Sequence, residues 1–249
     1  MNMRHMAHGP IFLIAILFSI NTFSLGMFRP DKPKDPPTSP DQPRIPTPVP
    51  DPKPDPDPEP TPEPRPSLER ARWESRSPVS NTTVWTDHTF RDLASLGPNL
   101  LDGVPADVSG FCPQYSRMSD REQRDFWVYL ISSMTELESS HNPSTSYREN
   151  FRDGQGNFVI SRGLLQISIE SGNAYGCAFR SSQDLHDPFQ NLSCGIRILN
   201  RWLGRDGRIA GKVNGSWKGG ARYWSVLRTG SKLDRIQSWT RSFCSALTR

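Results

Sequence analysis

Glu138 is the residue in this sequence best placed for acid chemistry. It follows a segment in which Phe126, Leu130, Met134 and Leu137 recur at spacings of three and four, the pattern of a helix with one apolar face. Apolar surroundings disfavour the charged form of a carboxyl group, which raises its pKa and keeps it protonated near neutral pH. A protonated carboxyl can give its proton to a leaving oxygen, so we expect Glu138 to be a general acid.

The predicted helix that carries Glu138 has a defined start and end. Ser119 and Glu122 match a capping box, in which the two side chains bond to free backbone N–H groups at a helix start. Asn142 and Pro143 end the helix, because proline cannot continue it. We therefore expect Glu138 in the last turn, where the chain leaves the helix.

Three more elements are predicted around this helix. Residues 151–161 contain Asp-Gly and Gly-Asn pairs, which tolerate the positive φ angles of a tight turn and predict a short β-hairpin. Asp187 followed by Pro188 is a strong helix start. The apolar face of that helix is supplied by Leu192, Ile196, Leu199 and Leu203. A last helix is expected from 231 to 247.

The spacing around Glu138 resembles a family pattern. Glu138-Ser139 is followed after two residues by Asn142-Pro143, and later by Gly163-Leu164-Leu165-Gln166. This order resembles that of the lytic transglycosylase and lysozyme superfamily, which reads Glu-Ser, two variable residues, Asn-Pro, then Gly-Leu-Met-Gln. The resemblance covers residues 112–247. It implies a lysozyme-like fold, which is α+β but mainly α with a small hairpin. It also implies that the protein cleaves bacterial cell-wall glycan.

The resemblance implies a role for each matching residue. Glu138 matches the general acid of the family, and Ser139 matches the serine that assists it. Gln166, together with Gly163 and the backbone of Leu164 and Leu165, matches the lining of the sugar groove. These residues define the predicted site.

A departure from the family pattern suggests a second acidic group. Glu138 and Gly163 are 25 positions apart, whereas the family motif is commonly written with about fifteen. The extra residues lead into the predicted hairpin and include Tyr147, a predicted substrate contact. Because a lysozyme-type hydrolase needs a second carboxylate, we assign that role to Glu149, with Asp153 as the reserve; both also fit the alternative of polar hairpin residues.

Another departure lies late in the chain. The Ala-Tyr-Asn-Ala-Gly motif of the family is missing, and residues 213–217 and 221–225 stand in its place. Tyr223 or Trp224 is expected to supply an aromatic contact to a sugar face, although aromatic residues at this spacing are also typical of a core. Tyr223 is included in the predicted site.

Four cysteines lie in the apolar region of a chain predicted to be exported, which indicates two disulfides. Three pairings are possible. We favour Cys177 with Cys194 as a local link, and Cys112 with Cys244, because the ends of a compact domain often lie close together. No metal site is expected, since neither the cysteines nor the histidines show ligand spacing, and no cofactor is implied.

The rest of the chain predicts a secretion signal and a spacer. Residues 1–26 have the charge, apolar run and small-residue cleavage site of a signal peptide, and no stable membrane anchor is expected after cleavage. Residues 27–66 are rich in proline, with 17 prolines between positions 30 and 66; they predict an extended, disordered linker. Residues 67–111 are interpreted as an N-terminal extension, and residues 112–249 as the catalytic domain. The protein is expected to be secreted or periplasmic.

The charge distribution is compatible with a cell-wall partner. Residues 67–249 carry 23 Lys and Arg against 18 Asp and Glu, and a mildly basic surface attracts anionic polymers. No nucleic-acid motif is present. We expect a monomeric muramidase that cuts the β-1,4 bond between N-acetylmuramic acid and N-acetylglucosamine in peptidoglycan. The alternatives are a lytic transglycosylase giving 1,6-anhydro products and a non-catalytic wall-binding module.

Overall fold

The computed structural model describes residues 68–247, so the predicted signal peptide and linker lie outside the described residues. This part of the chain is mainly helical. Its helices are α1 (Trp73–Arg76), α2 (Thr83–Leu96), α3 (Pro98–Leu101), α4 (Asp120–Ser139), α5 (Ile169–Asn173), α6 (Ser182–His186), α7 (Pro188–Asp206) and α8 (Ser231–Leu247). Two antiparallel pairs of strands accompany them: β1 (Ser146–Arg152) with β2 (Phe158–Arg162), and β3 (Lys212–Val213) with β4 (Ser216–Trp217).

The central helix is α4, which carries Glu138. The predicted capping box is present, with Ser119 accepting from the Glu122 N–H and Glu122 reaching back to the N–H of Ser119. Residues 125–135 of this helix are all buried, and α4 packs against α2, α3 and α8. The helix ends at Ser139, and the next residue, Ser140, takes a left-handed conformation with φ 53°. Glu138 therefore lies in the last turn, as predicted.

Helix α7 begins as the sequence predicts. The side chain of Asp187 accepts from the N–H groups of Phe189 and Gln190, and Pro188 occupies the first turn. One face of α7 packs against α2 and α3. The segment 68–111 thus contributes to the same core as the later helices, and buries Trp73 and Leu100 completely.

The predicted hairpin is present and longer than expected. Strand β1 begins at Ser146, which pairs with Arg162, and the turn spans Asp153 to Gly156. The β3–β4 hairpin was not predicted. Asn214 and Gly215 form its turn with φ angles of 47° and 79°, the conformation that Asn-Gly pairs favour in two-residue hairpins.

Two disulfides are present among the described residues, one across 132 positions of the chain and one across 17. Cys112 is bonded to Cys244 at the end of α8, and Cys177 is bonded to Cys194 in α7. This is the pairing that the sequence analysis favours. Among residues 68–247, no helix is both long and apolar enough to cross a membrane.

Candidate active site

A cleft of about 670 Å³ lies between the β1–β2 hairpin, α5 and the loop before α8. Glu138 faces it from the end of α4. Glu149 and Asp153 reach it from the hairpin. Opposite them it is lined by Ser171, Tyr223, Trp224 and Arg228. The cleft therefore brings together the predicted acid, both candidates for the second carboxylate and the predicted aromatic contact.

The surroundings of Glu138 raise its pKa to about 7. Burial is the main cause, because it takes solvation from the charged form. The negative charge of Glu149 acts in the same direction, while the positive charge of Lys232, at the start of α8, acts in the opposite one. Glu138 thus stays largely protonated up to neutral pH, as a general acid requires.

Glu149 lies on β1 and is half-buried. The hydroxyl of Ser161, on β2, donates a hydrogen bond of 2.7 Å to its carboxylate oxygen. This contact across the hairpin fixes the carboxylate on the cleft side. Glu149 is therefore held by structure and is close enough to Glu138 to affect its pKa.

Asp153, the reserve candidate, is occupied by the hairpin turn. One of its carboxylate oxygens accepts hydrogen bonds from the N–H groups of Gln155 and Asn157, at 2.9 and 2.8 Å. Such bonds from a side chain to nearby backbone stabilise tight turns. Asp153 lines the cleft, but its carboxylate also stabilises the hairpin turn, which the carboxylate of Glu149 does not do.

The residues from Gly163 to Gln166 form a tight turn closed by paired backbone hydrogen bonds between Arg162 and Ile167. Gly163 has φ of +75°, and a Cβ atom there would overlap the backbone oxygen of Leu185 and the amide of Asn191. Only glycine fits this position. The turn is thus held against the core at a fixed place next to α4.

Gly163, Leu164 and Leu165, which were predicted to line the sugar groove together with Gln166, are not among the residues that line the cleft. Both leucine side chains are fully buried in the core. The carbonyl of Leu164 accepts from the hydroxyl of Ser139 at 2.9 Å, and that of Leu165 accepts from the indole N–H of Trp224 at 2.8 Å. These carbonyls are used inside the protein and are not offered to a ligand.

Gln166 is the member of the turn that lines the cleft. Its side-chain amide donates to the carbonyl oxygens of Gly163 and Thr145, at 2.7 and 3.2 Å. It thereby connects the turn to the chain that leaves α4.

Ser139, predicted to assist the acid, is buried and also donates to the carbonyl of Thr135 at 3.1 Å. In this structure it joins α4 to the turn.

Tyr223 lines the cleft with a buried hydroxyl group. Burial is the main cause that raises its pKa to about 12, so the hydroxyl stays protonated at neutral pH. It lies 2.5 Å from the hydroxyl of Ser171 on α5. Tyr147, in contrast, is exposed over 62% of its surface and is not among the residues that line the cleft.

Sequence reasoning missed two residues that affect the acid. Ser161 holds Glu149. Tyr147 lies two positions before Glu149 on the same face of β1 and pairs directly with Ser161 in the ladder, so the alternation of side chains along the strands could have suggested Ser161 as a neighbour of Glu149. Lys232 lies on α8, 94 positions after Glu138, and no local pattern links the two. Among residues 68–247, no group of three or more His, Cys, Asp or Glu side chains could hold a metal ion.

Comparison with known proteins gives one set of similar structures. No protein-family model and no curated protein matches the chain. Wild-type DslA (Bd0314) is 57% identical, with a TM-score of 0.67, over 70% of this chain and 97% of the DslA chain. A DslA variant with glutamine for glutamate at its position 143 is 56% identical, with a TM-score of 0.68, over 71% and 98%.

A second DslA variant carries glutamine for glutamate at position 154 of that chain, with an identity of 57% and a TM-score of 0.67 over 70% of this chain and 97% of that one. The two replaced glutamates are therefore 11 positions apart in DslA. Glu138 and Glu149 have the same separation in this chain.

Proposed function

This chain belongs to the DslA (Bd0314) family, and we propose that it is an exported, lysozyme-like muramidase. Its substrate is peptidoglycan, and the bond cut is the β-1,4 link between N-acetylmuramic acid and N-acetylglucosamine. One observation carries the proposal: Glu138 and Glu149 face the same cleft, and burial keeps Glu138 largely protonated up to neutral pH. Glycosidases canonically use such a pair of carboxyl groups.

In the proposed reaction, Glu138 donates its proton to the glycosidic oxygen as the bond to the anomeric carbon breaks. Water then adds to that carbon, and the proton it loses goes to the carboxylate of Glu138, which restores the acid. Glu149 assists this second step, with its orientation fixed by Ser161. Burial raises the pKa of Glu138 to about 7, which suits it to the role of the acid.

The spacing of the replaced glutamates in DslA supports the assignment of both residues. Their separation of 11 positions equals that of Glu138 and Glu149. The two disulfides support the proposed export, since such bonds form and persist in oxidising compartments.

The test is digestion of purified sacculi, ordinary and N-deacetylated, with the full-length protein, followed by mass spectrometry of the released fragments. We expect fragments with reducing muramic ends, which are the products of hydrolysis. Fragments with 1,6-anhydro ends would identify a lytic transglycosylase and remove the need for Glu149. No fragments from either substrate, with binding retained, would identify a wall-binding module.

Three variants complete the test. Glu138→Gln keeps the shape of the side chain but cannot donate a carboxyl proton, so we expect the rate to fall at least about 100-fold. Glu149→Gln is expected to lower the turnover number with less effect on binding. Asp120→Asn removes a carboxylate from the exposed first turn of the same helix and is the matched control. Unchanged lysis by Glu138→Gln would overturn the catalytic assignment.

A further inference from the structure

We propose that a second groove, beside the active-site cleft, binds the acidic peptide branches of the glycan strand. This inference rests on the proposed function, because it specifies the part of peptidoglycan that the enzyme contacts outside the cleaved bond. The side groove is lined by Ser171, Tyr175, Arg197, Arg201, Trp202 and Tyr223. Ser171 and Tyr223 also line the cleft, so the two spaces are neighbours that share a wall.

A row of aromatic rings leads from the cleft into the side groove. The ring centres of Tyr223 and Tyr175 are 5.9 Å apart and those of Tyr175 and Trp202 are 6.2 Å apart, and all three residues are half-buried. Aromatic rings offer large, rigid apolar surfaces with polar tips. A polymer with alternating apolar faces and polar groups, such as a glycan with its attached peptides, can follow this row.

Trp202 is held from two sides. Its indole N–H donates to the hydroxyl of Tyr175 at 3.0 Å. The guanidinium group of Arg222 lies 5.0 Å from the ring centre and is itself fixed to Asp206 by hydrogen bonds of 2.6 and 3.0 Å. The ring therefore has a fixed position at the wall of the side groove before any ligand arrives.

Two arginines give the side groove its charge. Arg197 and Arg201 are exposed and lie four positions apart on α7, so their side chains emerge on the same face of the helix. Like charges at this spacing weaken a helix. Within residues 68–247 neither arginine has an ion pair with a carboxylate, in contrast to Arg222. Both guanidinium groups are therefore available to an anion from outside.

The chemistry of the substrate identifies that anion. The sugars of an N-acetylated glycan strand are neutral once the carboxyl group of muramic acid is bonded to peptide, so its free carboxylates lie on the peptide branches. The guanidinium fork of arginine matches a carboxylate with two parallel hydrogen bonds. The side groove thus has a cationic edge for the peptide and an aromatic wall for the apolar parts of the strand.

The test compares two soluble forms of the same glycan. Strands freed by an endopeptidase keep their peptide branches and the carboxylates on them. Strands freed by an amidase lose the branches, and each muramic acid then carries one free carboxylate directly on the sugar. Binding is measured by calorimetry with the full-length Glu138→Gln protein, which does not cleave its ligand under the proposed function. We expect about fivefold tighter binding to the strands with peptides, because exposed ion pairs contribute modestly, and a loss of this difference at high salt.

A double variant tests the two arginines. Adding Arg197→Gln and Arg201→Gln should remove the preference for peptide-bearing strands. The matched control adds Arg91→Gln and Arg241→Gln, which remove the same charge from exposed positions on α2 and α8, and it should keep the preference. Equal affinity for both strands, or a preference that survives in the Arg197/Arg201 variant, would overturn the inference.

The failure of this inference can be told apart from failure of the proposed function. Cleavage by the wild-type protein is followed separately on both forms of glycan. Absence of cleavage on both overturns the proposed function alone, since the binding comparison is made without catalysis.

Discussion

Replacing Glu138 with glutamine should make the protein more stable at alkaline pH, because the folded state no longer has to hold a buried negative charge. The pKa of Glu138 is raised from the ordinary value of 4.5 to about 7. Well below pH 4.5 the carboxyl is protonated in both the folded and the unfolded chain, and it does not lower the free energy of unfolding. As the pH rises through 7, the folded chain must also ionise, and the full penalty is present above that pH.

The size of the effect follows from the shift in pKa. Each unit of pKa corresponds to about 1.4 kcal/mol, so the upper bound for Glu138 is about 3 kcal/mol. Part of the side chain faces the solvent of the cleft, and water there screens the charge, so we expect about 2 kcal/mol. For a domain of this size, that corresponds to an increase in Tm of about 4–8 °C.

The assay is thermal unfolding of the wild type and Glu138→Gln at pH 4 and pH 8.5. We expect equal Tm values at pH 4 and a higher Tm for the variant at pH 8.5. Asp120→Asn is the control of opposite sign, since loss of a negative charge at the first turn of α4 should lower stability by about 0.5 kcal/mol at pH 8.5. A Glu138→Gln protein with the same Tm as the wild type at both pH values would refute the conclusion that burial raises the pKa of this group.

Three further outcomes are expected. Lys232→Gln removes the positive charge that lowers the pKa of Glu138, so the alkaline limb of the pH–rate profile should move to higher pH; a limb that moves to lower pH would contradict this. Gly163→Ala places a Cβ atom against backbone at a positive φ, and urea unfolding should show a loss of about 3 kcal/mol. Replacing both Cys177 and Cys194 with serine removes a disulfide that spans 17 positions. The free energy of unfolding, measured again with urea, should fall by about 3 kcal/mol, and an unchanged midpoint would show that the disulfide does not stabilise the fold.

Local signals in the sequence were sufficient for the main elements that position the acid. The capping box at Ser119, the cap and proline at Asp187 and Pro188, and the apolar stripes each depend on neighbours within one or two turns. The Asp-Gly pair at 153 and 154 likewise marked the β1–β2 hairpin. Such features are set by the chain itself, and the structure shows each of them where it was predicted.

Features that depend on tertiary packing were not accessible in this way. The pattern around Gly163 indicated a turn but not which of its atoms face the cleft; packing turned Leu164 and Leu165 into the core and left Gln166 at the cleft. Tyr147 shares a strand with Glu149 but lies beyond the part of it that lines the cleft. The influence of Lys232 on Glu138 arises from the packing of α8 on α4, which no spacing along the chain reveals.

The disulfide between Cys177 and Cys194 has a consequence for the timing of binding. Cys177 closely follows Tyr175, and Cys194 is one turn before Arg197 on α7. The bond therefore clamps together the two sides of the side groove. A chain in which the two cysteines are reduced would lack this clamp. Under the proposed export, the side groove would therefore take its final, rigid form only after the chain has reached an oxidising compartment.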